Sequence, residues 1–137
     1  VWNLPEAPVI CIVDDDDWAR DGLADLLLSF GYETRAFESA ETFLESRAVD
    51  QAACLITDLR MPGLSGLDLQ RILRREGHGI PVIFVTAHAN EANRASAFED
   101  GALCFLAKPY DHRALVDCLA LAGCGGGHAP RRPDSGA

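Results

Sequence analysis

Five short apolar runs recur along the chain, at 9–13, 33–37, 53–57, 81–85 and 103–107, and a helical pattern follows each one. The first, third and fourth runs are nearly continuous in apolar residues, as expected of strands covered on both faces. Between the first two runs, Leu23, Leu26, Leu27 and Phe30 fall on one face of a helix over 17–30, and Gly31 ends it. Ala40, Phe43 and Leu44 make a shorter stripe in 39–47 behind a Ser39 cap. Leu69, Ile72 and Leu73 mark 65–76, with Ser65 three residues before Asp68 as a cap signal. Segment 91–100 is a weaker helix with Ala95, Ala97 and Phe98. Segment 111–122 carries Leu115, Cys118, Leu119 and Ala122.

Strand and helix thus alternate five times. Alternation of this kind requires right-handed crossovers and a parallel sheet. Five units in this length predict an α/β fold: a flavodoxin-like, doubly wound five-stranded parallel sheet of order 2-1-3-4-5 in one (βα)5 domain. The expected domain spans 9–122, with a lead-in over 1–8 and a flexible Gly/Pro-rich tail over 123–137.

Ligands of such sheets bind at the carboxyl ends of the strands, beside the switch in strand order. Here that switch lies between strands 1 and 3. Strand 1 runs into Asp14-Asp15-Asp16-Asp17, and strand 3 runs into Asp58, followed by Leu59-Arg60-Met61-Pro62-Gly63. Two later strand ends add the Thr86 hydroxyl and the Lys108 ammonium. Carboxylates, hydroxyl and ammonium on one rim suit a magnesium-assisted transfer of phosphate onto Asp58.

Composition narrows the classes. The formal net charge is −9 and no basic stripe occurs, which argues against direct nucleic-acid binding. No apolar stretch is long enough to span a bilayer. The five cysteines are odd in number and lack metal-type spacing. Cys11, Cys54 and Cys104 lie inside apolar runs, where a free thiol behaves as a small hydrophobe. That usage points to a reducing cytoplasm.

Four fragments, in order and each at a strand end, resemble the receiver domain of two-component response regulators. They are Val13-Asp14-Asp15, Asp58-Leu59-Arg60-Met61-Pro62-Gly63 with Ser65-Gly66, Val85-Thr86-Ala87, and Lys108-Pro109. The wording Thr57-Asp58-Leu59-Arg60-Met61-Pro62-Gly63-Leu64-Ser65-Gly66 and Thr86-Ala87-His88 is most similar to the FixJ-type branch. The resemblance covers roughly residues 8–122.

The resemblance implies a set of roles. Asp58 is the expected phosphoacceptor, its carboxylate attacking phosphorus. Asp15 binds Mg²⁺ directly, Asp14 acts through a metal-bound water, and Asp58 and the Arg60 backbone carbonyl complete the protein ligands. Thr86 and Lys108 hold phosphoryl oxygens. Pro109 sets a tight turn, cis or trans, that aims Lys108. Phe105 occupies the aromatic switch position, although a plain core Phe reads the same way. His88 either flanks the path of hydrolytic water or is an ordinary surface histidine. One of Asp16 and Asp17 is expected to cap the first helix.

The implied partners are a sensor histidine kinase and a downstream protein, or a second copy, bound through helix 4, strand 5 and helix 5. The expected setting is cytoplasmic. The implied role is regulatory, promoting only the domain's own phosphorylation and dephosphorylation. Two rivals remain open at this point. One is a receiver-like module that binds partners without phosphorylation. The other is a haloacid-dehalogenase-type phosphatase with Asp14 as nucleophile, which leaves Asp58 without a role.

Overall fold

The computed structural model describes residues 8–124. The expected lead-in and tail lie almost wholly outside those residues. The elements are β1 (Val9–Val13), α1 (Asp17–Ser29), β2 (Glu33–Phe37), α2 (Ala40–Glu45), β3 (Cys54–Thr57), α3 (Gly66–Arg75), β4 (Val82–Thr86), α4 (Glu91–Glu99), β5 (Cys104–Ala107) and α5 (His112–Leu121). All five strands are parallel, in the order β2-β1-β3-β4-β5. The fold class is as the alternation predicted. A 3-10 turn over Arg47–Asp50, between α2 and β3, was not expected; its Ala48 is buried.

Alternate strand residues build two core layers, because successive side chains leave a strand on opposite faces. Cys11, Val13, Leu55 and Phe84 meet Phe43 of α2, Leu69 and Leu73 of α3, and Ala97 of α4. Ile10, Ile12, Ile56, Ile83 and Val85 meet Leu23 and Leu27 of α1 and Leu115 and Leu119 of α5. Both faces of the central strands are therefore closed, which is why their sequences are continuous apolar runs.

The helix starts follow local chemistry. Asp16 caps α1, its carboxylate accepting from the amides of Trp18 and Ala19. Ser65 and Asp68 form a reciprocal capping box on α3. Gly31, just past α1, has a positive φ of 95°, a conformation that favours glycine. The described chain also continues beyond α5. Cys124 is buried, and its carbonyl accepts from the Tyr32 hydroxyl at 2.6 Å.

All five cysteines are free and buried. Burial pushes the Cys11 thiol up to about 11 and the Cys118 thiol up to about 12. Such thiols stay protonated and unreactive near neutral pH. No helix among the described residues is long and apolar enough to cross a membrane.

One core position breaks the pattern. Gln70 on α3 is only 1% exposed, yet neither atom of its side-chain amide has a hydrogen-bond partner. Leaving such a group unpaired costs about 1–3 kcal/mol. Gln70→Leu is expected to raise stability in urea denaturation by about 1 kcal/mol, part of that relief being offset by repacking. A destabilised variant would show that the amide is satisfied in solution.

Candidate functional site

The sheet register builds the site. Val13 of β1 stands beside Thr57 of β3, so the next residues, Asp14 and Asp58, leave the same rim together. Each is tied to the sheet at that point. The Asp14 amide donates to the Phe37 carbonyl at 3.1 Å, and the Asp58 amide donates to the Val13 carbonyl at 3.0 Å. On the other side of β3, Thr86 of β4 pairs with Ala107 of β5, and the Lys108 amide donates to the Thr86 carbonyl at 2.8 Å. Four of the expected residues thus sit at strand ends on one rim.

Lys108 joins the two carboxylates. Its Nζ lies 2.9 Å from Asp14 Oδ2 and 2.9 Å from Asp58 Oδ2. The remaining oxygens are also held. Asp14 Oδ1 accepts from the Asp16 amide at 3.0 Å, and Asp58 Oδ1 accepts from the amides of Leu59 and Arg60. Asp14 and Asp58 are buried, whereas Asp15, Arg60 and His88 are exposed. The Lys108–Pro109 peptide is cis, within the tight turn expected there.

Thr86 is fully buried, and its Oγ1 accepts from the His88 amide at 3.0 Å. In this state the hydroxyl is engaged with the β4–α4 loop. Phe105 is buried, its ring centroid 6.3 Å from that of Phe84. It also lines a shallow groove with Asn90, Glu91 and Arg94. The residue expected at the aromatic switch position thus lies inside the core. On the other flank, an open groove of about 600 Å³ runs beside Asp14 and Lys108, bordered by Trp18, Leu26, Tyr110 and His112.

Several contributors were given no role in the sequence reading. Thr57 donates its hydroxyl to the Asp58 carbonyl at 2.9 Å. Arg20 donates to the Asp14 carbonyl at 2.8 Å while pairing with Asp17. Gly66 is required by close approach: a Cβ there would collide with the Asp58 carbonyl and the Phe84 ring. Thr57 and Gly66 stand in the fragments quoted from the sequence, though their contacts do not show there, and Asp17–Arg20 is readable as an i,i+3 pair.

The charges respond to burial and to one another. Burial pushes the Asp14 carboxyl up; the Asp16 amide and Lys108 oppose this, and the nearby Asp58 charge adds to it. Burial pulls Lys108 down, but its hydrogen bonds to Asp14 and Asp58 outweigh that, so its net shift is upward. The partners differ because Asp14 is the more deeply buried: its side chain is 4% exposed, against 22% for Lys108.

The donors can be tested against the expected Mg²⁺. Among the described residues no three His, Cys, Asp or Glu side chains are grouped closely enough to hold a metal ion. Mg²⁺, however, commonly takes one or two carboxylates and keeps several waters. Two buried carboxylates converging on one cation, Lys108, fit that hard, oxygen-seeking ion in kind.

Residues 10–120 match the response regulator receiver domain family. The chain belongs to that family. It is 40% identical over 114 residues to nodulation protein W of Bradyrhizobium diazoefficiens, covering 83% of this chain and 50% of that protein. It is 38% identical over 113 residues to the transcriptional regulatory protein FixJ of Azorhizobium caulinodans, covering 82% of this chain and 54% of that protein. Among solved structures, the response regulator StyR matches with a TM-score of 0.78 at 43% identity, covering 85% of this chain and 59% of that one. FixJ-N matches with a TM-score of 0.78 at 33% identity, covering 86% and 94%.

The receiver chain spans about half the length of the curated relatives it matches. Receivers are the phosphorylation-switched signalling domains of two-component systems, and they pair with sensor histidine kinases. Membership decides between the sequence readings in favour of the receiver over the dehalogenase-type phosphatase. It also accords with a regulatory role for the domain.

The shift at Asp14 has a defined sign. Its folded-state pKa lies above the unfolded value, so the folded chain holds that proton more tightly. Ionising Asp14 therefore costs stability, and the cost sets in as pH rises from the ordinary carboxylate range through the raised folded value. For Lys108 the gain is fully present below its ordinary value and is lost as pH rises past the raised one. In EDTA at pH 7, Asp14→Asn is expected to be more stable than wild type by on the order of 1 kcal/mol. It should also flatten the pH–stability curve just above the ordinary carboxylate range. Thermal melts across pH check both, and a variant less stable than wild type would contradict them.

Proposed function

We propose that Asp58 accepts a phosphoryl group from a sensor histidine kinase and that the modified rim changes a protein-binding face. The observation that carries this reading is the Lys108 ammonium, 2.9 Å from both Asp14 and Asp58. It is a cation already placed where a transferred phosphoryl group would bring negative charge.

The chemistry assigns each residue a task. A carboxylate oxygen of Asp58 attacks phosphorus, while the bond from phosphorus to the kinase imidazole breaks and its electron pair returns to nitrogen. Asp14, Asp15, Asp58 and the Arg60 carbonyl would hold Mg²⁺, which supplies charge neutralisation to the transferring group when bound. Lys108 pairs with a phosphoryl oxygen. The open groove beside Trp18 and Tyr110 gives a partner access to the rim. His88, exposed two residues after Thr86, would influence water reaching the acyl phosphate.

Switching follows from where Thr86 must move. Its hydroxyl accepts from the His88 amide and keeps its own proton to donate, so moving it toward a phosphoryl oxygen would stretch the His88 bond and loosen the β4–α4 loop. Helix α4 is suited to respond, because Ala97 is its only buried residue. Phe105, buried against Phe84, couples to this through the groove under α4 rather than by entering from solvent. The responding face runs through α4, β5 and α5 and would meet a downstream protein or a second copy. The net charge of −9 makes nucleic acid an unsuitable direct partner for this face. Buried free thiols accord with a cytoplasmic setting.

Mass spectrometry after acetyl phosphate and Mg²⁺ tests the acceptor. One phosphoryl group is expected on wild type, lost in Asp58→Asn and suppressed by EDTA. Turnover of external phosphate esters that depends on Asp14 would instead support a phosphatase, and no modification at all would favour a phosphate-independent binding module.

Beryllofluoride with Mg²⁺ tests the switch. Amide NMR shifts are expected to reach from the rim into 91–121 in wild type. Thr86→Ala should shrink that spread while leaving phosphorylation of Asp58 intact. Shifts confined to the immediate rim of the wild type would contradict the switch and leave a phosphate sink.

A further inference from the structure

The segment between Asp58 and α3 supplies the amides of Leu59 and Arg60 that hold Asp58 Oδ1. The precision of the carboxylate therefore depends on how this loop is anchored. One end is fixed internally, where the Gly66 amide donates to the Leu59 carbonyl at 2.8 Å. The other end is fixed from outside the loop. The Leu64 amide donates to Glu41 Oε2 at 3.0 Å, and Glu41 belongs to α2, 23 positions earlier in the chain.

A second observation points to the same contact. Gly63 has a φ of +79°, and a Cβ at that position would overlap the same Glu41 oxygen. The loop thus leaves a space next to Gly63 and fills it with a carboxylate. No described ion pair engages Glu41 elsewhere. A backbone amide given to a carboxylate is a charge-assisted bond, stronger than its neutral counterpart.

We propose that Glu41 is a positioning residue for phosphotransfer, clasping the Gly63–Leu64 turn so that the preceding amides hold Asp58 in its attacking orientation. This rests on the reading of Asp58 as phosphoacceptor. The clasp itself is a property of the unmodified chain and can be measured separately.

Amide hydrogen exchange in EDTA reads the clasp without any phosphotransfer. Glu41→Ala is expected to speed exchange at Leu64 and across 59–63 by roughly tenfold, the loss of one charge-assisted bond. Glu41→Gln, whose amide oxygen still accepts, should recover most of the protection. The two sides of the contact should also be coupled. Gly63→Ala should destabilise wild type more than it destabilises Glu41→Ala, because truncating Glu41 removes the overlapping oxygen and leaves only the strained φ.

Acetyl phosphate then reads the consequence. Modification of Asp58 should slow several-fold in Glu41→Ala and recover in Glu41→Gln. Unchanged Leu64 exchange, or additive effects at positions 41 and 63, would overturn the clasp. Faster exchange with an unchanged phosphorylation rate would overturn the positioning role. Failure of the wild type to take phosphate would overturn the acceptor reading instead, and the exchange and coupling measurements would still decide the clasp.

Discussion

Two carboxylates leaving adjacent parallel strands at the same height are the constraint on which the rest of the site depends. Parallel pairing of β1 with β3 puts Val13 beside Thr57, and the following residues, Asp14 and Asp58, inherit that alignment. Like charges so placed repel, and burial raises the cost of ionising Asp14 further. The Lys108 ammonium answers both oxygens at 2.9 Å. Its own place is set by the sheet, through the bond from its amide to Thr86. The rim is a charge arrangement written in strand register: moving β3 by one residue against β1 would separate the carboxylates and exchange Leu55 and Ile56 between the two core layers.

Anchoring is uneven around this rim, and the unevenness has a direction. Helix α3 is pinned at its start by a capping box and by the close approach of Gly66 to Asp58. Helix α1 packs Leu23 and Leu27 into the core. Helix α4 buries Ala97 alone and is tied mainly at its far end, where Arg71 meets the Asp100 carboxylate and Arg74 meets the Asp100 carbonyl, each at 2.7 Å. At its near end the loop is held by Thr86 and by Asn93 bonding the His88 carbonyl. A helix with one firm end and one end tied through a single hydroxyl can tilt without melting.

The sequence made the architecture legible because its periodicities were clean. Ile10, Ile56 and Ile83 lie in runs whose length fits only strands, and Leu23 with Leu27 marks a helical face. The strand-end residues of the site followed from the same logic, since a residue after a buried strand must emerge at the rim. What stayed hidden came from contacts between distant segments. Glu41 reaching Leu64, Tyr32 reaching Cys124 and the unpaired amide of Gln70 leave no local pattern. The 3-10 turn at Arg47–Asp50 was missed because four residues carry too little periodicity to read. Burial of Phe105 was ambiguous for a different reason: a core aromatic and a switching aromatic are the same residue in a sequence.

The electrostatics also define what a modification at Asp58 can do. A phosphoryl group on Asp58 would bring up to two negative charges and several acceptor oxygens to a rim where Asp14 is already reluctant to ionise. Lys108 is shared between two carboxylates, so its single positive charge already faces two negative ones before a phosphoryl group arrives, although its third N–H remains to donate. Arg20 is no substitute, because it is committed to the Asp14 carbonyl and to Asp17. The added charge therefore demands either a further cation or a new donor. The buried Thr86 hydroxyl is the nearest uncharged candidate in strand order: its oxygen accepts from the His88 amide, and its proton can be donated by rotation and movement. Such a movement would tie the chemistry of the rim to the loop before α4, through one hydroxyl and one amide.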